Sequence, residues 1–329
     1  MKLNQVCTLN SKITDLILSL ESNRKVLTLI GVPEQLKLNL RRQSLLHSAI
    51  YSARIENNSL TPKTFAGSPK SIKHLEIQNI LDTLNWIYSQ ETKLDLSLNV
   101  LRQLHARLMH NLHEEAGHFR TVASAVFNSA GVTLYLAPPA IEVIPLIESH
   151  LTQFATSTIP VPVKIALAHY QFEKIHPFLD GNGRMGRLLT TILLKNHGLD
   201  LHGVASLEEY IDSHRDDYYT LLGENQRDIT HFVEYFLTAI SSMQEQALSS
   251  LKSANATIPI LFPRQQELLE TVRNHSLCTF DFMRRRFYGI PTSTLHYDLQ
   301  QLQKNKLIYK IGTTRGALYS ASPVEGYFS

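Results

Sequence analysis

Apolar residues recur at helical spacing over about 163–175 and again over 185–195, and between them the chain reads His176-Pro177-Phe178-Leu179-Asp180-Gly181-Asn182-Gly183-Arg184. A loop of this composition, ending where a helix begins, fixes much of what can surround it. Gly181 and Gly183 remove Cβ atoms at the helix start, so several amide N–H groups can converge there on an anion. Arg184 and Arg187 stand three apart on the first turn of the new helix, on one face, where guanidinium forks can clamp further phosphate oxygens. Asp180 offers a hard oxygen suited to a Mg²⁺ that bridges phosphates. His176, with an ordinary pKa near ~6.5, can take a proton from an attacking hydroxyl at neutral pH, and Pro177 stiffens its exit from the preceding helix. Such parts suit in-line attack on phosphorus, with catalysis by positioning and electrostatics.

Asp-Gly-Asn-Gly alone is a common turn, so the weight rests on the whole run. Counted from Asp180, Met185 and Thr191 stand where an EF-hand needs Gly and Glu. No Gly-Lys-Ser/Thr follows, as a Walker loop would require. The histidines at 105, 110, 113 and 118 invite a metal reading. However, His113-Glu114-Glu115-Ala116-Gly117-His118 is one residue too long for a zinc-protease helix, and Gly117 would break it.

Elsewhere, helical periodicity covers 36–56, stopping at Asn57-Asn58, and 72–109, 207–222 and 229–247. Residues 122–127 and 132–136 flank Asn128-Ser129-Ala130-Gly131 and predict a β-hairpin. Ser, Ala and Asn dominate 249–257, followed by Pro259 and Pro263, which reads as a linker. Beyond it, 263–275, 279–287 and 292–304 read as short helices, and 307–311 and 317–320 as strands joined by a turn containing Arg315. The fold class is therefore mainly α, with a small hairpin and a separate C-terminal module.

The chain is 329 residues long and 43% apolar, enough to bury a full core in two or three modules. Its two cysteines, Cys7 and Cys278, lie far apart and give neither a disulfide framework nor metal spacing, so a cytoplasmic location is expected. The early apolar stretch at 16–20 is too short for a secretory signal, and nothing approaches a membrane span. Net charge is +3, but residues 258–320 alone carry nine Lys/Arg against four acids, so any nucleic-acid role belongs there.

The run 176–187 resembles, at every defined position, the signature of the Fic family, His-Pro-Phe-x-Asp/Glu-Gly-Asn-Gly-Arg-x-x-Arg. The resemblance implies an all-helical core with a hairpin flap, and transfer of AMP from ATP, with Mg²⁺, to a Ser, Thr or Tyr hydroxyl of a target protein or of the chain itself. It implies His176 as the base, Asp180 as the metal ligand and Phe178 as the loop's anchor. ATP and its phosphates would be held by Asp180, Gly181, Asn182, Gly183, Arg184, Met185, Gly186 and Arg187, the Asn182 side chain included. Tyr218 resembles an adenine-side tyrosine, or else packs in the core. The hairpin at Val126, Phe127 and Asn128 resembles the flap that registers a target segment by strand addition, and Gly117-His118-Phe119-Arg120 resembles the segment leading into it. Gly183 in place of Lys disfavours the kinase variant of the family.

Ser52-Ala53-Arg54-Ile55-Glu56-Asn57 resembles the inhibitory motif Ser/Thr-x-x-x-Glu-Gly/Asn of one class of this family. Ser52 and Glu56, four apart, share a helix face. The resemblance implies that Glu56 pairs with Arg187 and keeps ATP from seating productively. In some relatives the same Glu activates water for AMP removal.

The resulting organisation is an N-terminal helical region over 1–110 with the inhibitory helix at about 41–57, a Fic core over 111–248, a linker over 249–260, and a module over 261–329 that resembles a winged helix-turn-helix. Ser293, Thr294, His296 and Tyr297 would begin its recognition helix, so DNA is one expected partner; protein contact or a homodimer is the other use of such modules. The competing whole-chain reading is a DNA-binding regulator whose core is secondary or removes AMP. No membrane partner is expected.

Overall fold

In the computed structural model, the structure describes residues 5–29, 34–65, 71–127, 133–224, 227–256, 261–275, 277–305, 307–312 and 317–321. The chain forms two compact units, 1–253 and 254–329.

The first unit opens with α1 (Ser11–Leu29), α2 (Glu34–Ile55) and the single turn α3 (Pro62–Phe65). Next come α4 (Ile72–Ser89) and α5 (Leu98–Leu108), where the periodicity of 72–109 predicts one helix. Gln90 leaves the helical region for extended backbone, and Ser97 starts afresh as an N-cap whose hydroxyl accepts from Val100 N–H. The hairpin follows as β1 (Ala125–Phe127) and β2 (Thr133–Leu136), antiparallel, with Ala125 opposite Leu136, Val126 opposite Tyr135 and a register shift before Phe127. Val126 and Phe127 thus fall on β1, and Asn128 lies outside the described residues.

α6 (Val143–Thr156), α7 (Val161–Ile175) and α8 (Asn182–Asn196) complete the centre. α8 begins at Asn182, three residues earlier than the apolar pattern suggests, because Gly181 takes φ +79° and caps it. The pair α7 and α8 is buried on nearly every face, as central helices are. Ile165 and Tyr170 of α7 join one apolar cluster with Phe232 and Phe236. Phe172 and Ile175 join another, with Met185, Leu188 and Ile192 of α8. The loop between two such helices inherits their rigidity.

α9 (Leu207–Ser213) and α10 (Arg215–Gly223) break at His214 where one helix is expected, and α11 (Thr230–Ala256) continues helically through 249–256 of the expected linker.

The second unit holds α12 (Pro263–Asn274), β3 (Cys278–Thr279), α13 (Phe280–Arg286), α14 (Thr292–Lys304), β4 (Ile308–Ile311) and β5 (Leu318–Ala321). Its sheet runs β3-β5-β4, antiparallel throughout. β3, two residues long, has no period to betray it in the sequence. The core is Leu268, Val272, Met283, Leu295, Leu299 and Leu302 with Ile308 and Tyr319. Arg315 lies outside the described residues.

Candidate active site

α7 ends with four carbonyls that no helical N–H can reach, and His176 leaves it in the left-handed region at φ +49°. Its Nδ1 lies 3.4 Å from the Glu173 carbonyl. A carbonyl only accepts, so this contact requires the Nδ1–H tautomer and leaves Nε2 with its lone pair. Burial, with a smaller contribution from the Arg120 charge, holds the imidazole below its ordinary pKa. It is therefore neutral at neutral pH and able to accept a proton.

Phe178 is fully buried and stacks on His105, ring centroids 3.7 Å apart. Gly117 N–H donates to His105 Nδ1 at 2.9 Å, so Nε2 carries the proton and donates to the Asp180 carbonyl at 3.0 Å. Burial pushes His105 down to about 4. The histidine that invites a metal reading is thus a neutral clamp on the loop. Asn182 is likewise spent inside the loop. Its Oδ1 accepts from Phe178 N–H and its Nδ2 donates to the Phe178 carbonyl, at 2.9 and 2.8 Å. The sequence reading sends this side chain to phosphate; the structure turns it inward, because two backbone groups of the loop would otherwise lack partners.

The first intrahelical bond of α8 is Met185 N–H to the Gly181 carbonyl. The amides just before it, at 182–184, open the positive end of the helix dipole. Glu56 Oε1 sits at that end. A Cβ built on Gly183 would fall inside the contact radius of this oxygen. The same oxygen accepts from Arg187 Nη2 at 2.9 Å, while Ser52 Oγ takes Arg187 Nε and the Ser52 carbonyl takes Nη2, both at 2.9 Å. Arg187 is 1% exposed. Burial opposes its charge, yet Glu56, the neighbouring tyrosines and Glu173 together hold its pKa above the ordinary value. Asn57, in the left-handed region at φ +72°, accepts from Arg215 through Oδ1 at 2.8 Å and ends the helix.

Arg184 is bridged to Glu76 Oε1 of α4 at 2.7 Å and to Asp180 Oδ1 at 3.1 Å. Nothing in the sequence marks Glu76, which lies more than a hundred residues upstream. Desolvation raises its pKa, partly offset by Arg184.

Glu56, Glu173, His176, Gly183, Arg187 and Tyr218 line one cavity of about 110 Å³, together with Lys174, Tyr135 and Tyr219. Glu173 Oε1 and Arg187 Nη1 are shut from solvent and have no hydrogen-bond partner. Burial pushes Glu173 up to about 8. Tyr218 presents its ring to the cavity but its hydroxyl to the core, donating to His169 Nε2 at 2.7 Å, while His169 Nδ1 reaches the Gly186 carbonyl at 3.2 Å. Glu173, Lys174 and Glu76 escape sequence reasoning because helical periodicity does not say which polar group turns inward.

Comparison with known proteins agrees with this geometry. Residues 95–194 match the Fic/DOC family. A protein of Drosophila yakuba named "Protein adenylyltransferase Fic" is 27% identical over 264 residues, 76% of this chain and 51% of that one. A protein of the same name from Nematostella vectensis is 25% identical over 70% of this chain and 54% of its own. The chain thus spans about half the length of the curated relatives it matches. A crystal structure of a Fic family protein from Desulfovibrio desulfuricans has a like fold, with a TM-score of 0.70 at 23% identity over 98% of this chain and 99% of that one. The histidine loop, α7, the hairpin and all but the last two residues of α8 lie within the matched stretch, and the chain carries a Fic domain there.

Proposed function

We propose that the chain transfers AMP from ATP to a Ser, Thr or Tyr hydroxyl of a target protein and of itself, releasing pyrophosphate. The observation that carries this reading is the placement of His176, its Nδ1 turned to the Glu173 carbonyl, on the same cavity as Gly183 and Arg187. The attacking hydroxyl oxygen bonds to the α-phosphorus, its proton passes to His176 Nε2, and the bond from the α-phosphorus to the bridging oxygen breaks towards pyrophosphate. The α8 amides face the charge on the phosphates, and Arg187 and Arg184 bind the outer ones. The name of the curated relatives supports the same chemistry.

The residues present fit a Mg²⁺. Asp180 is a hard oxygen donor with its side chain 56% exposed, and both hydrogen bonds described for it fall on Oδ1. A bound Mg²⁺ would neutralise phosphate charge there. Phe178 anchors the loop, and the strand edge at Val126 and Phe127 registers the target.

Glu56 is the brake on this reading. Its carboxylate occupies the helix start and holds Arg187, both of which a nucleotide would need. Mass spectrometry of the Glu56→Gly protein incubated with ATP tests the function. A gain of AMP on Ser, Thr or Tyr, absent in His176→Ala, supports it, and a different mass gain overturns it.

A second reading concerns residues 261–329. Ser293, Tyr297, Gln300 and Lys304 of α14 are exposed, as are Arg284, Arg285 and Arg286 of α13, while the only acid of α14, Asp298, is turned inward. This acid-free face suits duplex DNA. Salt-dependent binding to a DNA duplex supports it, and no binding at low salt ends it.

A further inference from the structure

The end of α7 sets four carbonyls free, those of Glu173, Lys174, Ile175 and His176, and Pro177 has no N–H to offer the first of them. Each nevertheless has a donor. The Glu173 carbonyl receives the His176 imidazole. Tyr135 of β2 donates its hydroxyl to the Lys174 carbonyl at 2.7 Å. Arg120 gives Nη2 to the Ile175 carbonyl at 3.3 Å and Nε to the His176 carbonyl at 2.7 Å. Its backbone N–H adds the Pro177 carbonyl at 2.9 Å.

The same guanidinium grips both legs of the hairpin. Nη1 donates to the Val122 carbonyl at 3.0 Å and Nη2 to the Pro138 carbonyl at 2.6 Å. Arg120 is 3% exposed, so these carbonyls are its solvation. A cation against a helix C-terminus is also favoured by the helix dipole.

We infer that Arg120 and Tyr135 are positioning residues: from the hairpin they cap the C-terminus of α7 and so hold His176 with Nε2 facing the cavity. This rests on the reading of His176 as the base. A non-glycine residue at φ +49° persists only where its surroundings hold it, and here three of the four free carbonyls are held by the hairpin and the residue leading into it. The strand pair that registers a target and the imidazole that deprotonates it are then one mechanical unit. Lys174 strengthens the joint, its amine 4.3 Å from the Tyr135 ring centroid.

The test compares Arg120→Gln, Arg120→Lys and Tyr135→Phe, each in the Glu56→Gly protein. Misplacing a base by about 1 Å costs up to roughly a hundredfold in rate. Arg120→Gln should therefore lower kcat for AMP incorporation about a hundredfold with KM for ATP within about twofold, Arg120→Lys should fall between, and Tyr135→Phe should lose severalfold while the protein remains folded. An unchanged kcat in all three, or a KM for ATP that rises as far as kcat falls, overturns the inference. Tyr135→Phe decides the matter if Arg120→Gln does not fold.

A second readout needs no activity. With ¹⁵N-labelled histidine, His176 in the otherwise native chain should titrate as the Nδ1–H tautomer and become a mixture in Arg120→Gln or, less so, in Tyr135→Phe. An unaltered tautomer in both overturns the inference. If the Glu56→Gly protein with intact Arg120 incorporates no AMP, the transfer reading falls and the tautomer measurement still judges the positioning.

Discussion

Arg187 and Glu56 are joined at 2.9 Å by Nη2 and Oε1, and the turn that delivers Glu56 also supplies the Ser52 hydroxyl and carbonyl to the same guanidinium. The Arg187 side chain is 1% exposed and that of Glu56 31%. Removing the carboxylate leaves Arg187 with only its two Ser52 bonds and clears the start of α8. We expect Glu56→Gly to raise auto-modification with labelled ATP about tenfold or more, a shift of ~1.4 kcal/mol in the barrier. Ser52→Ala should raise it less, and His176→Ala should abolish it in either background. Equal labelling of Glu56→Gly and the native chain would remove the brake from the account.

Gly186 of α8 touches Glu173 of α7. A Cβ at 186 would lie within contact distance of Glu173 Oε1. An alanine inside a helix normally gains up to ~1 kcal/mol over glycine, yet crowding a packed interior costs about 1–3 kcal/mol. The net expectation for Gly186→Ala is a loss. Combining it with Glu173→Ala should restore the helix-propensity gain, and a double-mutant cycle by urea unfolding that shows no coupling would contradict the contact.

Two buried histidines set a pH dependence. Burial pushes His169 down to about 3 and His105 to about 4, against ~6.5 in an unfolded chain. Between pH 6.5 and 4 these two imidazoles bind more protons in the unfolded chain than in the native one. Their contribution to stability therefore falls as pH falls through this window, outweighing the opposite contribution of Glu173, which burial pushes up to about 8. Urea midpoints measured from pH 6.5 to 4.5 should show the decline. His169→Gln should lower stability at pH 7.5 but flatten the slope, and an unchanged slope would assign the effect elsewhere.

Asp298 of α14 is 1% exposed and accepts from Arg264 and from Gln265 Nε2, the latter at 3.0 Å. Hydrogen bonds to a buried charge are worth ~1.5–3 kcal/mol. In calorimetry of the full chain, Asp298→Ala should lower the transition of the C-terminal unit by several degrees, with Asp298→Asn in between. A transition left in place would make the pair ornamental.

The loop 176–187 and the Ser52/Glu56 pair were legible because each compresses its chemistry into adjacent residues or one helical turn. The hairpin was legible from Asn128-Ser129-Ala130-Gly131 between two apolar runs. Glu76 and the capping work of Arg120 were not, since each reaches a partner tens of residues away, nor was Glu173, because a polar residue on an amphipathic pattern looks the same whether it faces water or a buried cavity. The breaks at Gln90 and His214 were hidden for a related reason: the apolar spacing continues across both, and only the local backbone departs. Asn182 shows the opposite failure, a polar side chain in a binding loop that serves the loop itself.

Both arginines of the loop rest on carboxylates of the N-terminal region, Glu76 on α4 and Glu56 in the turn that ends α2. These acids are tethered, so their effective concentration at the guanidinium groups does not change with the amount of protein or of nucleotide. An incoming triphosphate competes with ligands that never dilute away. If Glu56 acts as the brake proposed above, the tether raises the ATP concentration needed by a fixed factor, and drawing the end of α2 aside removes that factor.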